Sequence, residues 1–81
     1  MDSQSANQIA VGTWAKVTGF EPGEEEVFHI VPDAEANPID NRIPPGSPLA
    51  KALIGAKEGD IVVFRPPSGE VELTVLELGR S

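Results

Sequence analysis

Between Ser47 and Gly55 the chain carries its clearest helix signal, and that helix is too short to stand by itself. Ser47 can accept from the free N–H groups of a first turn, and Pro48 at the first helical position has no N–H to leave unsatisfied. Leu49 and Leu53 fall four apart on one face, with Ala50 and Ala52 beside them, while Lys51 points outward. Gly55 suits a left-handed cap at the end of the run. So short a helix does not hold in water on its own. Its apolar face must therefore lie on something else, and the rest of the chain offers strands.

Ala15 and Val17 alternate with Trp14, Lys16 and Thr18, the period of a strand with one buried face. Glu21-Pro22-Gly23-Glu24 follows with Pro and Gly at the central positions of a type II turn. A second strand, Glu26 to Val31, places Phe28 and Ile30 on one side and Val27, His29 and Val31 on the other. After the helix, Glu58-Gly59-Asp60 turns the chain into a strand from Ile61 to Arg65. Pro66-Pro67-Ser68-Gly69 is the next turn, and the last strand runs from Glu70 to Leu78. There Val71, Leu73 and Val75 share a face until Leu76 and Leu78 switch it.

Pro32 to Gly46 is different. Pro38, Pro44 and Pro45 each remove a backbone donor, so this segment reads as a long loop that touches the sheet edge at most near Ile43. Loops of this length in a compact domain are often functional. The pattern predicts an α+β domain over residues 9–81: a twisted antiparallel sheet of two hairpins with one short helix packed on it. Met1 to Gln8, all small or polar after the initiator, reads as a disordered leader.

Composition narrows the function. A chain of 81 residues holds one domain. At that size about 60% of the unfolded chain's surface is buried, so the core is thin. There is no cysteine, which excludes disulfides and thiolate chemistry. A formal charge of −7 argues against a nucleic-acid face, which needs a basic surface. His29 is the single histidine and lacks partners for a zinc site. Glu24, Glu25 and Glu26 alternate in direction and do not follow calcium-loop spacing; Asp33, Glu35 and Asp40 are read the same way, as solvated loop residues. No nucleophile–base–acid set and no phosphate-cradling glycine loop is present. The expectation is a non-enzyme without metal or cofactor. No secretion signal and no run of roughly 18 apolar residues is visible, so a cytoplasmic, membrane-free location is expected. Trp14 stands out: alternation puts it opposite Ala15 and Val17, where an exposed tryptophan serves as a contact anchor unless the leader or Phe20 covers it.

The segment Gly46-Ser47-Pro48-Leu49-Ala50-Lys51-Ala52-Leu53-Ile54-Gly55, followed by Lys57-Glu58-Gly59-Asp60, resembles the signature of the C-terminal domain of the bacterial elongation factors GreA and GreB. Gly12 to Val17 is similar to that family's first strand, Glu26 to Val31 to its second, and Pro66 to Gly69 to its Thr-Pro-Gly-Gly turn. The resemblance implies an FKBP-like fold. It also implies a docking role, in which the domain grips a coiled coil at the rim of the secondary channel of RNA polymerase. The gripping positions carried over are Ser47 and Pro48, with Gly46 and Pro45 adjacent.

The chain also departs from the family pattern. Pro44-Pro45 stands where Ser-Val or similar is usual, Gly46 where a small polar or acidic residue is usual, and Ala56 where a basic residue is usual. The two prolines predict a shortened or lost third strand. Only Met1 to Gln8 precedes the domain, too little for the family's N-terminal helical hairpin, so no stimulation of RNA cleavage is expected. The FKBP-like fold invites a prolyl isomerase reading. Against it, the only aromatics are Trp14, Phe20, Phe28 and Phe64, and Phe28 is expected in the core. The resulting expectation is a polymerase-binding transcription regulator that competes with full-length Gre factors. The alternative is the same module recruited to another protein.

Overall fold

The computed structural model describes residues 7–80. The expected leader therefore lies largely outside the described residues; Asn7 and Gln8, the two within them, are exposed. Five strands and one helix follow: β1 (Thr13–Thr18), β2 (Glu25–Ile30), β3 (Arg42–Ile43), α1 (Pro48–Leu53), β4 (Ile61–Phe64) and β5 (Val71–Arg80). They form one sheet in the order β3-β2-β1-β5-β4. The chain thus builds an N-terminal hairpin, crosses the core face, and returns as a second hairpin on the far side of β1.

The hairpin turns behave as their residues predict. Glu24 N–H donates to Glu21 O (3.2 Å) across Pro22-Gly23, and Gly23 takes φ of +78°. Gly69 N–H donates to Pro66 O (3.0 Å) at the second turn. On β1, Thr13, Ala15 and Val17 are buried and the residues between them half-buried. Phe28 and Ile30 face the same core. Val31, expected on the opposite side, is buried as well: β2 ends at Ile30, and the alternation ends with it.

The sheet is not wholly antiparallel, which corrects one expectation. β3 pairs with β2 in parallel, Ile30 opposite Ile43 and His29 opposite Arg42. Two 3-10 turns, Asp33–Glu35 and Pro38–Asp40, carry the chain back so that β3 runs alongside β2 in the same direction. His29 N–H then donates to Asn41 O (2.9 Å) and Val31 N–H to Ile43 O (2.9 Å). Pro44 and Pro45 have no N–H with which to continue the ladder, so β3 stops after two residues, shortened as expected.

The facing switch in the last strand is a β-bulge. Ala15 pairs with Leu78 and Lys16 with Glu77, yet Val17 pairs with Val75, leaving Leu76 as the extra residue. Leu73 and Val75 are therefore core residues before the bulge, and Leu78 packs on the core after it. Leu76 remains half-buried and does not join the core, contrary to its expected place beside Leu78.

α1 lies on the core face, burying Ala50 and Leu53. Two reciprocal bonds tie its end to the start of the domain: Ile9 N–H donates to Ala56 O (2.8 Å), and Gly55 N–H donates to Ile9 O (2.8 Å). Ile9 is fully buried, and so in large part is Ala56, where the family pattern carries a basic side chain. Phe20, Phe28 and Phe64 close one end of the core with ring centroids 5.9 and 6.2 Å apart.

Gly19 lets the chain leave β1 over β5. It takes φ of +138°, and a Cβ there would collide with the carbonyl oxygen of Glu72. Gly19→Ala is therefore expected to lower stability by about 3 kcal/mol, measured by urea unfolding. Gly46 makes the control: its φ is not left-handed and a Cβ would meet nothing within 4 Å. Gly46→Ala should leave stability unchanged or raise it by about 0.5 kcal/mol.

Candidate docking site

Of the residues singled out in the sequence, Pro45, Gly46 and Ser47 form the turn after β3, and Pro48 continues it as the first residue of α1. Ser47 N–H donates to Pro44 O (3.1 Å), closing the turn. The Ser47 hydroxyl accepts from Ala50 N–H (3.2 Å), and its carbonyl accepts from Lys51 N–H (2.9 Å). Ser47 is thus the helix cap, and its side chain orients the helix start from within. Gly46 and Pro48 are exposed, while Pro45 and Ser47 are half-buried. Prolines before the turn and a capped helix after it restrict the backbone, so the exposed Pro48 ring is presented with little entropy left to lose.

The stretch of sequence that holds this turn differs in charge from the rest of the chain. Asp40 and Glu58 bracket a run that has no carboxylate and contains Arg42, Lys51 and Lys57. All three cations are exposed. The charged side chains of residues 41–57, the run that contains the Ser-Pro turn, are therefore these three cations, although the whole chain carries a formal charge of −7.

Trp14 lies elsewhere. Its neighbours on β1, Ala15 and Val17, point into the core that holds Ala50 and Leu53, so Trp14 occupies the sheet face turned away from α1. The sheet separates it from Pro45 to Pro48, and the structure does not bring these residues into one site. Trp14 pairs across β1 and β5 with Gly79, and its indole lies over that glycine. A Cβ on Gly79 would sit 2.9 Å from the indole Nε1, Cε2 and Cζ2. Trp14 is half-buried in consequence. Phe20, considered as a cover for it, packs instead with Phe28 and Phe64 in the core.

The acidic residues stay apart. Glu25 and Glu26 project to opposite faces of β2, and among the described residues no group of three or more His, Cys, Asp or Glu is placed to hold a metal ion. Glu25 and Glu77 instead flank Lys16 at 3.8 and 3.7 Å on the open sheet face. His29 is half-buried beside Trp14 on the β2 side, opposite Arg42 of β3. No helix among the described residues is long and apolar enough to cross a membrane.

One residue escaped the sequence reading. Ile39, in the 3-10 turn before β3, is 93% exposed, more than any other large apolar side chain described. Its flanks, Asn37, Pro38, Asp40 and Asn41, read as an ordinary polar turn, and nothing in the local pattern separates a presented isoleucine from one folded inward.

The class is an FKBP-like α+β domain with a short capped helix crossing a five-stranded sheet. Residues 4–80 match the family model described as "Transcription elongation factor, GreA/GreB, C-term", and the chain belongs to that family. It is 40% identical over 72 residues to the transcription elongation factor GreA of Thermoanaerobacter pseudethanolicus, covering 89% of this chain and 46% of that protein. With GreA of Streptococcus suis it shares 35% identity over 80 residues, covering 99% of this chain and 50% of the other. The chain thus spans about half the length of these curated relatives. Among solved structures it superposes on GreA factor homolog 1 of Thermus thermophilus with a TM-score of 0.76 and 30% identity, covering 96% of this chain and 52% of that one. A GreA/GreB factor from Nitrosomonas europaea, at 18% identity and a TM-score of 0.74, shares the fold.

Two outcomes follow from the geometry. Ser47→Ala removes the cap and should cost about 1 kcal/mol in a thermal or urea melt. Gly79→Ala should displace the Trp14 indole toward solvent. The chain has one tryptophan, so a red shift of its emission with the fold retained by circular dichroism reads this directly.

Proposed function

We propose that this domain is a docking module for bacterial RNA polymerase, acting in the cytoplasm by binding rather than by catalysis. Pro45, Gly46, Ser47 and Pro48 make the contact, and the coiled coil at the rim of the secondary channel receives it. The observation that carries this reading is the GreA/GreB C-terminal match over residues 4–80, together with an intact capped Ser-Pro turn whose Pro48 is exposed. The absence of carboxylates from residues 41–57, with Arg42, Lys51 and Lys57 exposed, fits a partner surface that carries carboxylates beside an apolar contact.

On this reading the 81-residue chain occupies the channel rim without stimulating RNA cleavage, and no metal, cofactor or direct nucleic-acid contact is needed. Its effect on transcription is competition with full-length Gre factors for one surface. The departures at Pro44, Pro45 and Gly46 alter the approach to the turn but leave the cap and the helix start in place.

A binding titration of the purified chain against bacterial core RNA polymerase tests the proposal. Saturable binding is expected, displaced by a full-length GreA. Pro48→Ala should weaken it about tenfold, consistent with the loss of one well-placed contact. Absence of binding, or binding that GreA does not displace, refutes docking at the rim and favours a different protein partner.

A further inference from the structure

We propose that the free edge of β4 is a self-association surface, on which a second copy of this chain adds its own β4 antiparallel to the first. β4 is the last strand of the sheet, and among the described residues no strand lies beyond it. Val75 N–H donates to Asp60 O (2.9 Å), so the backbone of Asp60 faces β5. Alternation then turns the backbone groups of Val62 and Phe64 toward β5, where these residues pair with Leu73 and Val71. The N–H and C=O groups of Ile61 and Val63 point the other way, to the open edge. Their side chains stand on the open face of the sheet, 65% and 42% exposed, while Val62 and Phe64 pack on the core.

The two edges of the sheet are treated differently. β3 has two residues, one of them Arg42, and Pro44 and Pro45 follow it directly. Short length, charge and proline are the devices that keep an edge from pairing with another chain. β4 runs Ile61-Val62-Val63-Phe64 without a charge, a proline or a bulge. An edge in this state, with two exposed β-branched side chains on it, is a template for a further strand.

What fits this edge is the same edge. A two-fold axis perpendicular to the sheet keeps the open faces of both copies on one side, and it sets residues of like facing opposite each other. With the axis at Val62, Ile61 of each copy lies opposite Val63 of the other. Each such pair exchanges both of its N–H···O=C bonds, using the groups that β5 leaves free. The exposed side chains of Ile61 and Val63 then meet across the joint as cross-strand partners. Charge agrees with this register. It brings Arg65, at the end of one β4, beside the Glu58-Gly59-Asp60 turn that opens the other, so opposite charges meet at both ends. The Arg65 side chain is 76% exposed. So short a joint between copies that each carry a formal charge of −7 is weak, with a Kd on the order of 100 µM. The self-association is independent of the polymerase docking proposed above.

Sedimentation equilibrium of the purified chain, from about 10 µM to about 1 mM, tests the proposal. The average mass is expected to rise with concentration from that of one chain toward that of two. Val63→Lys puts a charge on the edge and should weaken association at least about tenfold, with the fold retained by circular dichroism. Should Val63→Lys fail to fold, Ile61→Thr with Val63→Thr gives the same reading, since threonine keeps the β-branch and removes the apolar contact. The register has its own test, because the chain has no cysteine. Residues opposite each other in a hydrogen-bonded pair have Cα atoms about 5.5 Å apart, within reach of a disulfide. An oxidised mixture of Ile61→Cys and Val63→Cys chains should therefore cross-link more than either variant alone. A mass that stays that of one chain up to about 1 mM overturns the proposal. So does association that a folded Val63→Lys chain retains in full. Cross-linking of Val63→Cys alone in excess of the mixture overturns the register.

Discussion

The antiparallel pairing of β1 with β5 is the contact on which the rest of this structure depends. It joins strands from opposite ends of the sequence, and without it β4 and β5 would be a separate two-stranded ribbon, marginal in water, apart from β3-β2-β1. Once they are joined, Ala15 and Val17 share one face with Leu73 and Val75, wide enough to receive Ala50 and Leu53 of α1. The bulge at Leu76 serves the same end. It shifts the alternation by one residue, so that β5 presents Leu78 to the core where the strand without it would present Glu77.

Because that sheet is flanked by β3 on one edge and β4 on the other, the chain must cross its whole width between them. The crossing segment becomes a surface feature by necessity. Its prolines cannot extend the ladder, and its single helix is too short to do more than cover the core. The turn at Asn37 stands before the crossing, between β2 and β3, and the Pro45 to Pro48 turn opens it, with Gly46 and Pro48 exposed. The first is acidic, and the second lies in a run that carries only cations.

The open face of the sheet works differently. Trp14 covers the bare backbone of Gly79, and Lys16 lies between Glu25 and Glu77, so much of that face is occupied by cross-strand partners. An aromatic over a strand glycine restores packing that the glycine lacks. The tryptophan that looks most like a binding anchor in the sequence therefore has structural work of its own, on the side of the sheet away from the Ser-Pro turn.

Local chemistry determined a large share of this protein. The Ser47 cap, Pro48 at the helix start, the turns at Pro22-Gly23 and Pro66 to Gly69, and the alternation of Ala15, Val17, Phe28 and Ile30 all follow from interactions within a few residues. Gly46 to Gly55 with Lys57 to Asp60, in order with Gly12 to Val17, Glu26 to Val31 and Pro66 to Gly69, also suggested the family. The parallel direction of β3 was not legible, because it depends on how the long loop lays itself beside β2, not on any alternation within two residues. Nor was the burial of Val31, the isolation of Leu76 at the bulge, or the difference between Trp14 resting on Gly79 and Ile39 standing free. Those are decided by which segment, distant in sequence, packs against each side chain, and only the tertiary structure brings such segments together.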